Sequence, residues 1–350
     1  MRTEIRKEIV NKMYYYFMES RDIRENLAAE QYLMNNKDFS EPLVLFYIQN
    51  PCIIIGRNQN PLEEINQKFL EDNHITLTRR LSGGGAVYDD LGNVSFSFVV
   101  NKGDKNFGDF KSFTAPILKA LHEMGAKDAQ VSGRNDLMIH GKKFSGNAMY
   151  TKKGKTFSHG TLMFDVDLSV LPQALTVAKD KIESKGTKSV RSHVTNIKPF
   201  LGEKYQKYTT EDFRDELARH LLGVNDLKEA EGKKVVLTKE DQTAIQQLVQ
   251  EIYGNPQWIY GETPEFTIQK RKRLPQVGII DARLKVVHGK IAGIKFYGDY
   301  FGAKDSEELA EKMLGLTYGK EALEKFLKTQ DISQYFTHLT GEELADLLWN

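Results

Sequence analysis

The stretch from Asp136 to Asp165 constrains the fold more than any other part of the chain. It reads as strand (Asp136–Ile139), turn (His140-Gly141), strand (Lys142–Ala148), turn (Lys152–Lys155) and strand (Thr156–Asp165). Turns this close together leave no room for crossover helices, so these strands form hairpins rather than a βαβ repeat. Upstream, VSFSFVV (Val94–Val100) alternates, with Val94, Phe96, Phe98 and Val100 on one face. The apolar runs Leu43–Ile48 and Cys52–Gly56, separated by Asn50-Pro51, predict strands of a sheet covered on both faces. Helical spacing runs over Arg24–Leu33, through Leu27, Ala28 and Tyr32, and over Phe110–Met124, through Phe113, Ile117 and Leu121. The expected fold class is α+β: a large domain of mixed β-sheets flanked by helices, plus a smaller α+β domain.

Beyond Ile197 the pattern turns helical. Thr210, followed by Glu211 and Asp212, predicts a cap for a helix to Leu222, and Thr238–Asp241 opens a helix to about Tyr253. Gly254–Phe266 then gathers glycine and proline breaks around aromatics, and KRKR (Lys270–Arg273) follows. The chain is therefore divided into a lead-in of uncertain role (1–12), a catalytic domain (13–255) and a small accessory domain (256–350). In the last, Val277–Val287 and Ile291–Phe296 predict a hairpin turned at His288-Gly289-Lys290. Helices are expected near Ser306–Leu314, Lys320–Thr329 and Thr340–Trp349, the last opened by a Thr340…Glu343 capping box.

Lys and Arg number 49 against 48 Asp and Glu, a net charge of +1 that argues against nucleic-acid or membrane partners. Cys52 is the only cysteine, which excludes an intramolecular disulfide and a thiolate metal cluster and suits a reducing compartment. No apolar run approaches the roughly 18 residues of a membrane span, and MRTEIRKEIVNK lacks the apolar core of a secretory signal. A cytoplasmic protein, with a monomer favoured, is the expectation.

Four clusters can carry chemistry. In RRLSGGGAVY (Arg79–Tyr88), Gly83–Gly85 allow backbone N–H groups to approach an anion, and the arginines offer forked donors for phosphate or carboxylate. The spacing matches neither a P-loop nor a dinucleotide fingerprint, and a flexible loop would have the same composition. In GRNDLMIHGKKFSGNAMY (Gly133–Tyr150), alternation places Lys143, Ser145 and Asn147 on one side of a strand. A lysine there would stabilise developing charge on a phosphate or acyl oxygen; edge-strand charges are the bland alternative. FSHGTLMFDVD (Phe157–Asp167) presents His159 as a possible phosphate donor and Gly160 as a point of close backbone approach. Lysine-rich Lys179–Ile197 suits either a flap over a polyanion or an exposed loop.

Taken together, GRNQN (Gly56–Asn60), RRLSGGGAVYDDLGN (Arg79–Asn93), GRNDL (Gly133–Leu137), KKFSGNA (Lys142–Ala148), SHGTL (Ser158–Leu162) and KGTKSVRSHVTN (Lys185–Asn196) resemble lipoate–protein ligases. These are relatives of the biotin–protein ligases and octanoyltransferases. Val277–Ile291 is similar to the accessory domain of the bacterial type, so the resemblance covers nearly the whole chain from Met13. It implies two steps: ATP and lipoate give lipoyl-adenylate and pyrophosphate, and the acyl group then passes to a lysine of an apo lipoyl domain. Acceptors would be acyltransferase subunits of 2-oxoacid dehydrogenases or the glycine cleavage carrier protein.

By this resemblance Lys143 is the catalytic residue, contacting the α-phosphate and the acyl carbonyl. Arg80, Ser82, Gly83, Gly84, Gly85, Ala86, Val87 and Tyr88 would bind ATP and lipoyl-adenylate, together with Asn135, Asp136, Ser145, His159, Gly160 and Thr161. Lys181, Lys185, Ser189, Val190 and Arg191 fall in the segment that orders over the adenylate. Magnesium would accompany ATP, with Asp136 a candidate ligand, and no tightly held prosthetic group is expected. Many relatives carry His-Asp where this chain has Asp89-Asp90, so position 89 receives no role.

Three other functions define the alternatives. An ATP-independent octanoyl or lipoyl transferase works through a cysteine thioester and would need Cys52, which sits in an apolar run. A biotin ligase doubling as a repressor would need a DNA-binding domain for which too few residues precede the first strand. A non-catalytic homologue would bind ATP or lipoate without pyrophosphate exchange.

Overall fold

The computed structural model describes residues 13–101, 108–133, 135–175, 193–261 and 267–349. Among the described residues the large domain contains ten strands: β1 (Tyr14–Phe17), β2 (Leu43–Tyr47), β3 (Cys52–Ile55), β4 (Thr76–Arg79), β5 (Val87–Asp89), β6 (Asn93–Val100), β7 (Gln130–Ser132), β8 (Asp136–Ile139), β9 (Lys142–Lys152) and β10 (Lys155–Met163). Seven of them form one sheet in the order β1-β2-β6-β10-β9-β8-β7. The expected hairpins β8–β9 and β9–β10 are present. Their turns place His140 and Gly141 at φ 48° and 75°, and Lys153 and Gly154 at 49° and 76°. Two consecutive left-handed residues give the turn whose twist matches paired strands.

One face of this sheet is apolar. Val94, Phe96 and Phe98 of β6 pack with Phe46, Phe144 and Leu162 against the helices Phe110–Glu123 and Thr210–Leu222. The opposite face of β6 carries Ser95 and Ser97, paired across β10 with Thr161 and His159. Over that polar face lie the helix Ile23–Asn36 and a three-stranded sheet, β4-β3-β5. The runs Leu43–Ile48 and Cys52–Gly56, expected in one sheet, are divided: β2 lies in the large sheet and β3 is central in the small one. Both are buried throughout, and a continuous apolar run reports burial without naming its partner strand. Thr209 rather than Thr210 caps the second helix, sharing a capping box with Asp212.

The smaller domain holds β11 (Ile268–Leu274), β12 (Gly278–Val287) and β13 (Lys290–Gly298), followed by the helices Ser306–Met313, Lys320–Leu327 and Gly341–Trp349. The expected β12–β13 hairpin and the Thr340–Glu343 box are both formed. KRKR, expected to mark the boundary, is part of the edge strand β11, where charge discourages further pairing. The domains meet where Gly298 N donates to Asn58 O (2.8 Å) and Arg283 pairs with Glu63 (2.5 Å).

Candidate active site

A cleft opens between the polar face of the large sheet, the small sheet and the helix Ile23–Asn36. Gly84–Val87 form one wall; Lys143, Asn135 and Asn147 the rim opposite; His159, Gly160 and Thr161 the floor.

The glycine loop is held from inside by Arg80. This buried guanidinium donates to Gly83 O (2.7 Å), Gly85 O (2.8 Å), Ile54 O (3.1 Å) and Ser82 Oγ (3.1 Å). Burial lowers the Arg80 pKa to about 10, so the group remains charged at neutral pH. With the carbonyls drawn inward, the N–H groups of Gly84, Gly85 and Ala86 have no acceptor among the described residues. Such a run of free amides is an anion nest. Arg79 has a different task. Its guanidinium donates to the carbonyls of Gly56, Arg57, Gln59, Trp258 and Ile259, tying the loop after β3 to the helix Pro256–Tyr260. Gly83 packs under Tyr300 and Phe301 of the smaller domain, and Tyr88 lies in the core beneath the small sheet.

Lys143 reaches across the rim from β9. Its Nζ lies 2.7 Å from Asp136 Oδ1, and a Cβ on Gly146 would sit 3.0 Å from that same Nζ. Glycine at 146 is therefore what lets the lysine fold back over the strand. Lys143, Ser145 and Asn147, expected on one side, are separated by a bulge. The register jumps from Leu137↔Ser145 to Met138↔Lys143, leaving Phe144 over in the apolar core. Ser145 is consequently buried away from the cleft, accepting from Asn147 Nδ2 (3.2 Å). Asn135 and Asn147 lock the neighbouring strands: Asn135 Nδ2 donates to Asn147 O (2.5 Å) and Asn147 Nδ2 to Asn135 O (3.0 Å). Lys181, Lys185, Ser189, Val190 and Arg191 lie outside the described residues. Just after them, Thr195 N donates to Lys143 O (2.9 Å).

His159 connects three elements. Its Nδ1 faces both oxygens of Glu30 (3.0 and 3.1 Å) and its Nε2 lies 2.7 Å from Ser82 Oγ. A proton on Nδ1 satisfies the carboxylate, so Nε2 accepts from the Ser82 hydroxyl, which itself accepts from Arg80. All four groups are buried, and the relay fixes the loop to the cleft floor. Gly160 is required by packing on the other face: a Cβ would meet Asn147 Oδ1 at 2.2 Å and Phe96 Cζ at 2.7 Å. Glu30, Leu27, Tyr47, Ile54, Asp89 and Ser95 also shape the site; the motifs covered only Asp89 among them, and gave it no role. Glu30 alone had a signal, a carboxylate three residues after Leu27 on an apolar helix face.

Two acidic groups deep in this region are strongly perturbed. Cys52 is fully buried, and desolvation pushes its thiol well above the usual range. Burial raises Asp89 to about 7 against the opposing hydrogen bonds from Ser95 (3.2 Å) and Gln49 (2.6 Å). Among the described residues, no three or more His, Cys, Asp or Glu side chains group as metal ligands.

The sequence matches the family model of the lipoyl protein ligase A/B catalytic domain over residues 22–222 and that of the bacterial lipoate protein ligase C-terminus over 263–348. It is 46% identical to the lipoate-protein ligase LplJ of Bacillus subtilis, covering 94% of this chain and 97% of that one. It is 38% identical to lipoate–protein ligase 1 of Staphylococcus aureus, covering 92% and 95%. A crystal structure of P. falciparum LipL1 in complex with lipoate superimposes with a TM-score of 0.76 over 97% of this chain and 98% of that one, at 23% identity. A bipartite lipoate protein ligase from a structural analysis of the Thermoplasma acidophilum lipoylation system, the ligase and its E2 lipoyl domain, has a TM-score of 0.61 at 26% identity, covering 74% and 100%. With both domains matched and relatives this similar over nearly their full length, the chain belongs to the lipoate–protein ligase family.

Proposed function

We propose that this protein activates lipoate with ATP to lipoyl-AMP and transfers the lipoyl group to a specific lysine of apo lipoyl-domain proteins. The observation that carries the assignment is the juxtaposition of Lys143 with the free amides of Gly84–Ala86 across one cleft. The amides receive phosphate oxygens of the nucleotide. Lys143 offsets charge on the α-phosphorus as the lipoate carboxylate attacks and pyrophosphate leaves, and then on the carbonyl oxygen as the acceptor amine displaces AMP. Asp136 holds the ammonium in place until a phosphate takes over as its partner.

Asn135 and Asn147 keep the rim rigid, and the Glu30–His159–Ser82 relay keeps the loop closed on the floor. Asp136 is the carboxylate paired with Lys143 at the rim, and among the described residues no group of three or more His, Cys, Asp or Glu side chains could hold a metal. Such a donor set suits a magnesium ion that arrives on the nucleotide rather than a resident one, and that ion supplies charge neutralisation for the leaving pyrophosphate. The lipoate bound to the P. falciparum neighbour, and the E2 lipoyl domain named as belonging to the T. acidophilum ligase, support the same substrate and acceptor class here. Acyltransferase subunits of 2-oxoacid dehydrogenases and the glycine cleavage carrier protein are the proposed acceptors, in the cytoplasm. A thioester route lacks its nucleophile, since the sole cysteine is buried with a raised pKa. The test is intact-mass analysis of an apo lipoyl domain incubated with the protein, lipoate and ATP. A lipoyl mass gain that requires ATP is expected; none with ATP, or an equal gain without it, overturns the assignment.

A further inference from the structure

A second cleft lies on the seam between the two domains and shares no lining residue with the site around Lys143. Arg57, Gln59 and Arg79 line it from the large domain; Lys295, Asp305 and Glu307 line it from the smaller one. Three cations there stand beside two carboxylates, so positive charge is in excess. Asp305 is already engaged: it pairs with Arg57, and its Oδ1 accepts from Glu307 N (3.0 Å).

Arg79 is the least compensated of the cations. It is 6% exposed, and its guanidinium donates to main-chain carbonyls alone, with no ion pair among the described residues. Carbonyl dipoles satisfy its donors but leave a net charge, and a buried charge ordinarily has a counter-ion. Burial and the neighbouring Arg57 lower its pKa to about 10, so it stays charged at neutral pH in surroundings that resist the charge. Gln59, 1% exposed, adds an unmet donor. Its Oε1 accepts from Gly56 N (2.8 Å), which fixes the orientation of the amide, and its Nε2 is buried without a partner. Across the seam, Lys295 Nζ lies 5.6 Å from the centre of the Tyr297 ring. The complement of an unpaired amide N–H, an uncompensated guanidinium and an ammonium is a negatively charged oxygen acceptor.

We propose that this interdomain cleft is a second ligand site, for a small oxyanion (a phosphate or a carboxylate) held by Arg57, Gln59 and Lys295 beside Arg79. Its cations come from both domains, so an occupant bridges the seam.

Trp258 reports on this cleft, because it lines the wall and Arg57 lies over its ring, 5.3 Å from the centre. The only other tryptophan is Trp349, so in Trp349→Phe protein the fluorescence is that of Trp258. That protein is titrated with inorganic phosphate and, separately, with acetate, with sodium chloride holding the ionic strength constant. A saturable change with at least one of them is expected, and the anion that saturates identifies the ligand as a phosphate or a carboxylate. Lys295→Gln should weaken binding about tenfold, whereas Lys295→Arg, which keeps the charge, should bind within about twofold of the parent. Lys143→Ala, which alters only the other cleft, should leave binding unchanged. Absence of a saturable change with both anions overturns the proposal. So does a response lost in Lys143→Ala, which would place the anion on the glycine loop, or one unaltered in a folded Lys295→Gln protein.

Discussion

Lys143 Nζ sits 2.7 Å from Asp136 Oδ1 at the cleft rim, with both side chains about one-third exposed (34% and 32%). A pair this accessible contributes only about 0–1 kcal/mol to folding. Its value lies in pointing an ammonium group across the cleft before any substrate arrives. Asp136→Asn should therefore leave the urea midpoint almost unchanged while lowering pyrophosphate exchange about tenfold or more. Parallel losses of stability and activity would assign the pair a structural role instead.

The Glu30–His159 contact behaves oppositely, because both groups are buried. Glu30→Ala leaves the imidazole N–H without an acceptor, at a cost of about 1–3 kcal/mol in denaturant unfolding. Loosening the floor under Ser82 should also weaken ATP binding. A variant as stable as the parent would remove the relay from the account.

Asp89 makes stability depend on pH with a definite sign. Its folded pKa, about 7, lies above the ordinary carboxylate value, so in the window between the two the native state binds more protons than the unfolded chain. The stabilisation is present below about pH 4 and is lost as pH rises through 7, at up to about 1.4 kcal/mol per pH unit. Burial sets the shift against the hydrogen bonds from Ser95 and Gln49; of the nearby charges, Asp90 raises the pKa and Arg80 lowers it. Asp89→Asn should flatten this limb in urea titrations between pH 4 and 7; an unaltered profile would mean that Asp89 does not titrate there.

Cys52 is a free thiol buried in the core between the sheets. Cys52→Ala should keep acyl transfer within a few-fold of the parent, with a stability cost of about 1 kcal/mol. Loss of transfer from a well-folded variant would point to a thioester intermediate.

What the sequence disclosed follows the range of the interactions concerned. The β8–β9–β10 hairpins were legible because His140-Gly141 and Lys153-Gly154 encode their turns locally. β1 was not: it pairs in parallel with β2 far along the chain, and no turn announces it. The glycine loop and Lys143 were recognisable from motifs. The bulge that turns Ser145 inward was hidden, since alternation cannot reveal one extra residue. The walls were equally hidden, because Tyr47 and Ser95 meet only through the register of a completed sheet and Leu27 reaches them from the helix packed over it. Arg80 and Arg79 carry the same donors; the resemblance gave only Arg80 a role, as a nucleotide binder, and the fold makes it the organiser of the anion nest and Arg79 the strut between segments.

The central claim is that Lys143 stabilises the charge that develops during adenylation. The most direct measurement is lipoate-dependent ATP–pyrophosphate exchange by Lys143→Ala, with circular dichroism and urea unfolding on the same sample. We predict an unfolding curve within about 1 kcal/mol of the parent and exchange reduced by roughly a hundred- to a thousandfold or more. Exchange at the parental rate in the folded variant would contradict it.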